Sequence, residues 1–233
     1  MSGMRRRGHE VEVAQVRGLS PRLQGVTLRG PELVGASFRA GDKVKINVGG
    51  GRFRSYTPAT FDPGRGELEV IAFVHGRGAG SAWAAGAKPG QHTTIFGPVP
   101  SLAGPRGDEE WAWFLGDETT VGLFRALADA LPASAMVAGA VELDEHDAQA
   151  LPALALPLDF APRQSVHGEA LLAWLDTASV PSGRGTVWLS GHSGAIDACR
   201  KKLERRGIPP ERIRAKAYWN RRKDRLRNLA GLA

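Results

Sequence analysis

The chain has 233 residues, a formal charge of +7 and one cysteine, Cys199. That length allows one large domain or two small ones with a sizeable core, and a lone cysteine excludes an intrachain disulfide. No apolar run approaches the roughly 20 residues that span a bilayer, no apolar segment follows the charged start MSGMRRRGHEVEV, and histidines 9, 75, 92, 146, 167 and 192 lack ligand spacing. We therefore expect a cytoplasmic protein with no membrane span and no metal site.

Residues 1–104 read as short strands. HEVEVAQV alternates between apolar and polar side chains, and RLQGVTLRG, KVKINVG, FRSYTPATF, ELEVIAFV and HTTIFG follow it. Clusters of Gly, Pro and Asp separate them. Six short strands at this spacing predict an antiparallel barrel. One helical segment interrupts them, GSAWAAGA, after the glycine-rich HGRGA.

The pattern changes at SLAGPRGDEE, residues 101–110, a linker by its Gly, Pro and charge. Over 105–233, strands and helices alternate. WAWFLG, AMVAGAVEL, LALPLDF, TVWLSG and RIRAKAYW read as strands. ETTVGLFRALADAL, EALLAWLDTA, SGAIDACRKKLERRG and the charged NRRKDRLRNLA read as helices. Such alternation predicts a parallel sheet covered by helices, with ligands at the carboxyl ends of its strands. Two strand-to-helix junctions, FLGDETT and WLSGHSG, fit that rule.

Three stretches carry candidate chemistry. In RSYTPA, alternation puts Arg54 and Tyr56 on one face and Ser55 and Thr57 on the other. A flat ring beside a cation suits a planar, anionic ligand, and Pro58 brings no N–H to a ladder. An ordinary edge strand explains the same residues. In HGRGAGSAWAAGAKPG, glycines allow close backbone approach, and a helix opening near Gly80 and Ser81 has N–H groups for an anion. A flexible loop with a serine cap is the plainer reading. In GDETT, Asp117 or Thr119 caps a helix or meets a dinucleotide, although the full G-x-G-x-x-G fingerprint is missing. Cys199 shares a helical stripe with Ile196 and Leu203 and is expected to be packed. Tyr218 and Trp219 close the last strand, either as core or as an aromatic lid. The basic clusters Arg5–Arg7 and Arg221, Arg222, Lys223, Arg225 and Arg227 are solvated termini or a surface for acidic ligands. No basic strand interleaved with aromatic residues forms a nucleic-acid platform, so no such partner is expected.

In order along the chain, RSYTP, HG…GSAWAAGAKPGQ…GP, FLGDETT, WLSGHSGAI and AYW before a basic end resemble the siderophore-interacting protein family, a branch of the ferredoxin-reductase-like flavoproteins. The likeness runs from about Val11 to Arg222. It implies a six-stranded FAD-binding barrel over 1–104, followed by a Rossmann-like, NAD(P)H-binding unit over 105–233. It also implies a monomer that reduces ferric siderophores or other ferric chelates to Fe(II), with electrons from NADH or NADPH passing through FAD. Carried over by position, Arg54, Ser55, Tyr56 and Thr57 contact the flavin. His75 and the stretch Gly80, Ser81, Ala82 and Trp83 hold the adenine side and pyrophosphate. Gly116, Asp117, Glu118 and Thr119 line the nicotinamide region. Arg221, Arg222 and Lys223 receive the ferric chelate. No residue acts as a catalyst in its own right. The chain departs from the family pattern at PATFD, where further basic residues are usual, at Gly122 for a proline, and at Gly191-His192 for Gly-Glu. Two other readings stand beside this one: a flavoprotein reductase with a different acceptor, and a basic binding protein without redox activity.

Overall fold

The computed structural model describes residues 8–220. The expected C-terminal helix and Arg221, Arg222 and Lys223 lie outside the described residues. Two compact units form: one comprises the residues up to Gly104 together with Gly122–Ala130, the other Pro105–Val121 and the chain from Leu131 on.

In the first unit the strands are β1 (His9–Gly18), β2 (Leu23–Arg29), β3 (Lys43–Asn47), β4 (Phe53–Tyr56), β5 (Pro58–Asp62) and β6 (Glu67–Phe73). Helix α1 (Gly78–Gly86) and strand β7 (His92–Val99) follow. They form one antiparallel sheet in the order β4-β3-β7-β1-β2-β6-β5. The alternation holds in β3 and in the first half of β1. Val44 and Ile46 of β3 are buried, as are Val11 and Val13 of β1, and these pack with Val26, Leu28, Leu68, Val70 and Ile95.

The sheet has seven strands where six are expected, because FRSYTPATF is two strands rather than one. β4 ends at Tyr56 and β5 begins at Pro58, on opposite edges of the sheet. Pro58 has no N–H to extend the β4 ladder and restricts the residue before it. Thr57 alone therefore links the two edge strands, and the sheet must curl until its edges meet at that corner. The chain crosses from one edge strand to the other at this corner, as a sheet curled toward a barrel requires.

The second unit begins with β8 (Trp111–Asp117) and a single 3-10 turn, Glu118–Thr120; helix α2 (Val121–Asp129) follows in the chain, but its residues from Gly122 on group with the first unit. It continues with β9 (Met136–Leu143), α3 (Ala150–Ala153), β10 (Asp159–Pro162), α4 (Glu169–Thr177), β11 (Gly185–His192), α5 (Ser193–Arg205) and β12 (Ile213–Trp219). The strand expected over LALPLDF is shorter and lies later, at β10, and the short α3 precedes it. The sheet is parallel, in the order β10-β9-β8-β11-β12. Its direction of winding reverses between β8 and β11, so their carboxyl ends flank the position where such sheets open a ligand crevice. Leu115, Leu189, Leu175, Cys199 and Leu203 pack together beneath α4 and α5. Cys199 is buried, as expected, and burial pushes its thiol up to about 12.

Candidate functional site

The corner at Thr57 builds the first part of the site. Arg54 and Ser55 are exposed, Tyr56 is half-buried and Thr57 is buried. Arg54 and Tyr56 both approach Gly80. A Cβ there would lie 3.0 Å from Tyr56 Oη and 3.2 Å from Arg54 Cγ. Only glycine lets the α1 backbone come this close without displacing the ring. The Tyr56 hydroxyl donates a long, 3.4 Å hydrogen bond to the Gly80 carbonyl, and its ring lies 5.7 Å from that of Trp83. Burial pushes the phenol up to about 12, so Tyr56 presents a neutral ring beside the Arg54 cation.

Helix α1 opens at Gly78, two residues earlier than expected, which places Gly80 and Ser81 inside its first turn. No side chain caps this end. The Ser81 hydroxyl instead accepts from the Gly76 backbone N–H at 3.0 Å and tethers the incoming loop. The first N–H groups of a helix have no carbonyl partner within it, so an uncapped start presents them to an anion. His75 and Ala82 are exposed, and Trp83 is half-buried behind Tyr56. Of the residues expected here, Arg54, Tyr56, Gly80 and Trp83 converge directly. His75 stands at the head of the loop, 5.6 Å from the Phe73 ring.

The candidates in the parallel unit are built differently. Asp117, at the carboxyl end of β8, is only 4% exposed. Its Oδ1 accepts from the Thr119 N–H at 3.0 Å and the Thr119 hydroxyl at 2.5 Å. Its Oδ2 accepts from the His192 N–H at 2.8 Å and from Trp219 Nε1 at 2.9 Å. One carboxylate thus ties together the ends of β8, β11 and β12. At Gly191 the backbone has φ +112°, and a Cβ would overlap Asp117 Oδ2, so glycine is required. Glu118 is buried and ion-paired with Arg163. Gly116 and Asp117 line a cavity of only about 10 Å³ with Glu142, His192 and Cys199.

Sequence reasoning missed Glu142 and His167. The Gly168 N–H donates to both Glu142 oxygens, at 3.1 and 3.0 Å. Burial is the largest cause that raises the Glu142 carboxyl above its usual range. His167 Nδ1 lies 3.9 Å from Glu142 Oε2. The rings of His167, His192 and Trp219 form a cluster with centroids 4.7–4.9 Å apart. No local spacing brings residues 167, 192 and 219 together. Among the described residues, no group of His, Cys, Asp or Glu is arranged to hold a metal ion, and no helix is long and apolar enough to cross a membrane.

An antiparallel sheet with an uncapped helix start, followed by a parallel sheet with a reversal point, is the fold of a ferredoxin reductase of known structure. Residues 50–102 match the siderophore-interacting FAD-binding domain and residues 109–222 match the siderophore-interacting protein model. The chain belongs to the siderophore-interacting protein family. The NADPH-dependent ferric-chelate reductase of Escherichia coli (strain K12) is 30% identical over 171 residues, which are 72% of this chain and 66% of that protein. A siderophore utilization protein from T. fusca is 27% identical with a TM-score of 0.75, covering 92% of this chain and 93% of that one. The siderophore-interacting protein from Aeromonas hydrophila shares the fold at 24% identity and a TM-score of 0.79, covering 93% and 92%.

The corner fits FAD by its own chemistry. It offers a neutral ring, an exposed cation, an uncapped helix start and a glycine at the point of closest approach.

Proposed function

We propose that this chain is an FAD-dependent reductase of ferric siderophores or related ferric chelates that takes its electrons from NADH or NADPH and releases Fe(II). The observation that carries the proposal is the convergence of Arg54 and Tyr56 on Gly80 in the first turn of α1, inside the stretch matched by the FAD-binding family model. FAD, when bound, supplies the conversion between a two-electron hydride donor and one-electron Fe(III). The protein orients it and shapes its surroundings. Tyr56 provides a face for the ring system, with Ser55 beside it in β4 and Thr57 at the break between the edge strands. Arg54 and the free N–H groups of the first turn of α1, which end at Gly80, neutralise the pyrophosphate. Because α1 opens at Gly78, the N–H groups of Ser81 and Ala82 are taken up within the helix, and Ser81 serves through its tether to the loop, with Trp83 supporting Tyr56. His75 lies on the adenine side. Gly116, Asp117, Glu118 and Thr119 stand where a nicotinamide nucleotide meets the carboxyl end of a parallel sheet.

Flavin binding falls to residues 1–104 and nucleotide binding to 105–233. The two family matches support that division. Arg221, Arg222 and Lys223 supply positive charge for an acidic chelate. The proposal also places the protein in the cytoplasm as a monomer, which cell fractionation and analytical ultracentrifugation test.

The deciding experiment is a visible absorbance spectrum of the purified protein, before and after anaerobic addition of NADH or NADPH. Flavin bands that bleach, followed by Fe(II) capture from a ferric siderophore, are the expected result. Bands that bleach without Fe(II) release point to a different acceptor. Absence of flavin after incubation with FAD overturns the proposal and favours the basic binding protein.

A further inference from the structure

The loop that leads into α1 is approached by a stack of three side chains, one of them from the turn just before β2. Arg22, just before β2, holds its guanidinium carbon 5.3 Å from the centroid of the Phe73 ring. Phe73, the last residue of β6, lies 5.6 Å from the His75 ring at an interplanar angle of 37°. The Val74 N–H donates to the Arg22 carbonyl at 2.7 Å, which fixes the backbones of the two segments against each other at this point. The order is cation, aromatic ring, imidazole. Phe73 is half-buried and His75 is exposed, so the stack runs outward and ends in an imidazole beside the uncapped helix start.

We infer that Arg22 and Phe73 are positioning residues that hold His75 as a platform for the adenine ring, and that this platform makes the barrel select FAD over flavins without the adenylate half. The inference rests on the flavin reading above. A cation over Phe73 and an imidazole packed against the same ring limit the rotation of both rings. A preset ring binds a planar base with less ordering cost than a mobile one. Arg22 acts through the stack. FMN and riboflavin carry the isoalloxazine but no adenine, so they bypass the platform.

The test is a fluorescence titration of the deflavinated, full-length protein with FAD and, separately, with FMN. The variants are Phe73→Ala, Arg22→Gln, the exposed His75→Ala, and Phe73→Tyr, which keeps the ring. We expect the first three to raise the Kd for FAD by about fivefold and to leave the Kd for FMN within about twofold. Phe73→Tyr should retain the wild-type preference. Parallel losses of FAD and FMN affinity, or unchanged FAD affinity in His75→Ala, would overturn the inference while the flavoprotein reading stood. A wild-type protein that binds neither flavin would overturn both.

Discussion

The Thr57 corner and the carboxyl end of β8 both attract attention in the sequence for the same reason, a polar stretch where an apolar strand stops. The structure uses them in opposite ways. At the corner, Arg54, Ser55, His75 and Ala82 are exposed and α1 begins without a side-chain cap. At the end of β8, Asp117 is 4% exposed, Glu118 is 3% exposed, and both carboxylates are already engaged by protein donors. The first region keeps polar groups available for a ligand, while the second consumes them to join strands. Substitutions should therefore affect binding in the first region and stability in the second.

The largest effect is expected at Asp117. Asp117→Ala leaves the His192 and Trp219 N–H groups and the Thr119 donors without their acceptor, and should cost about 4 kcal/mol in urea unfolding. Asp117→Asn should also destabilise, because each oxygen accepts two donors and an amide N–H₂ faces donors on either side. If Asp117→Ala unfolded like the wild type while its NADH or NADPH affinity collapsed, the contrast between the two regions would be broken.

Tyr56→Ala should lower FAD affinity by about tenfold, read by flavin retention on desalting, with little change in unfolding. Tyr56→Phe should behave like the wild type, because the bond from the hydroxyl to Gly80 is long. Gly80→Ala sharpens the same point. Its Cβ presses on Tyr56 Oη and Arg54 Cγ, so flavin affinity should fall several-fold. Meanwhile the helix gains up to about 1 kcal/mol of propensity and unfolding should not weaken.

The smallest effect is expected at Glu142. Burial raises its folded pKa above the unfolded value. Its contribution to stability is therefore full below the ordinary carboxylate range and is lost as pH rises through the raised value. Glu142→Gln removes that titration and should flatten stability against pH from mildly acid to neutral conditions, with no loss at neutral pH. A steeper pH dependence in the variant would show that the carboxylate is held in its charged form.

Local patterning determined a great deal. Alternation of Val44 and Ile46 with Lys43 and Lys45 specifies a half-buried strand, because side chains in a strand repeat every two residues. The same period places Arg54 and Tyr56 together. The Ile196, Cys199 and Leu203 stripe specifies one buried face of a helix. Tertiary structure alone decided the rest. Pro58 shows that a ladder ends, but not that Thr57 joins the two edges of a seven-stranded sheet, since strand order depends on pairings far apart in the chain. The spacing of GDETT admits a cap or a ligand contact, and what decides Asp117 is the pair of donors from His192 and Trp219, 75 and 102 residues away. Sequence periods report which face of an element is buried. They carry no information about which distant donors fold into reach of a given carboxylate, and that decides whether a polar residue holds a ligand or holds the fold together.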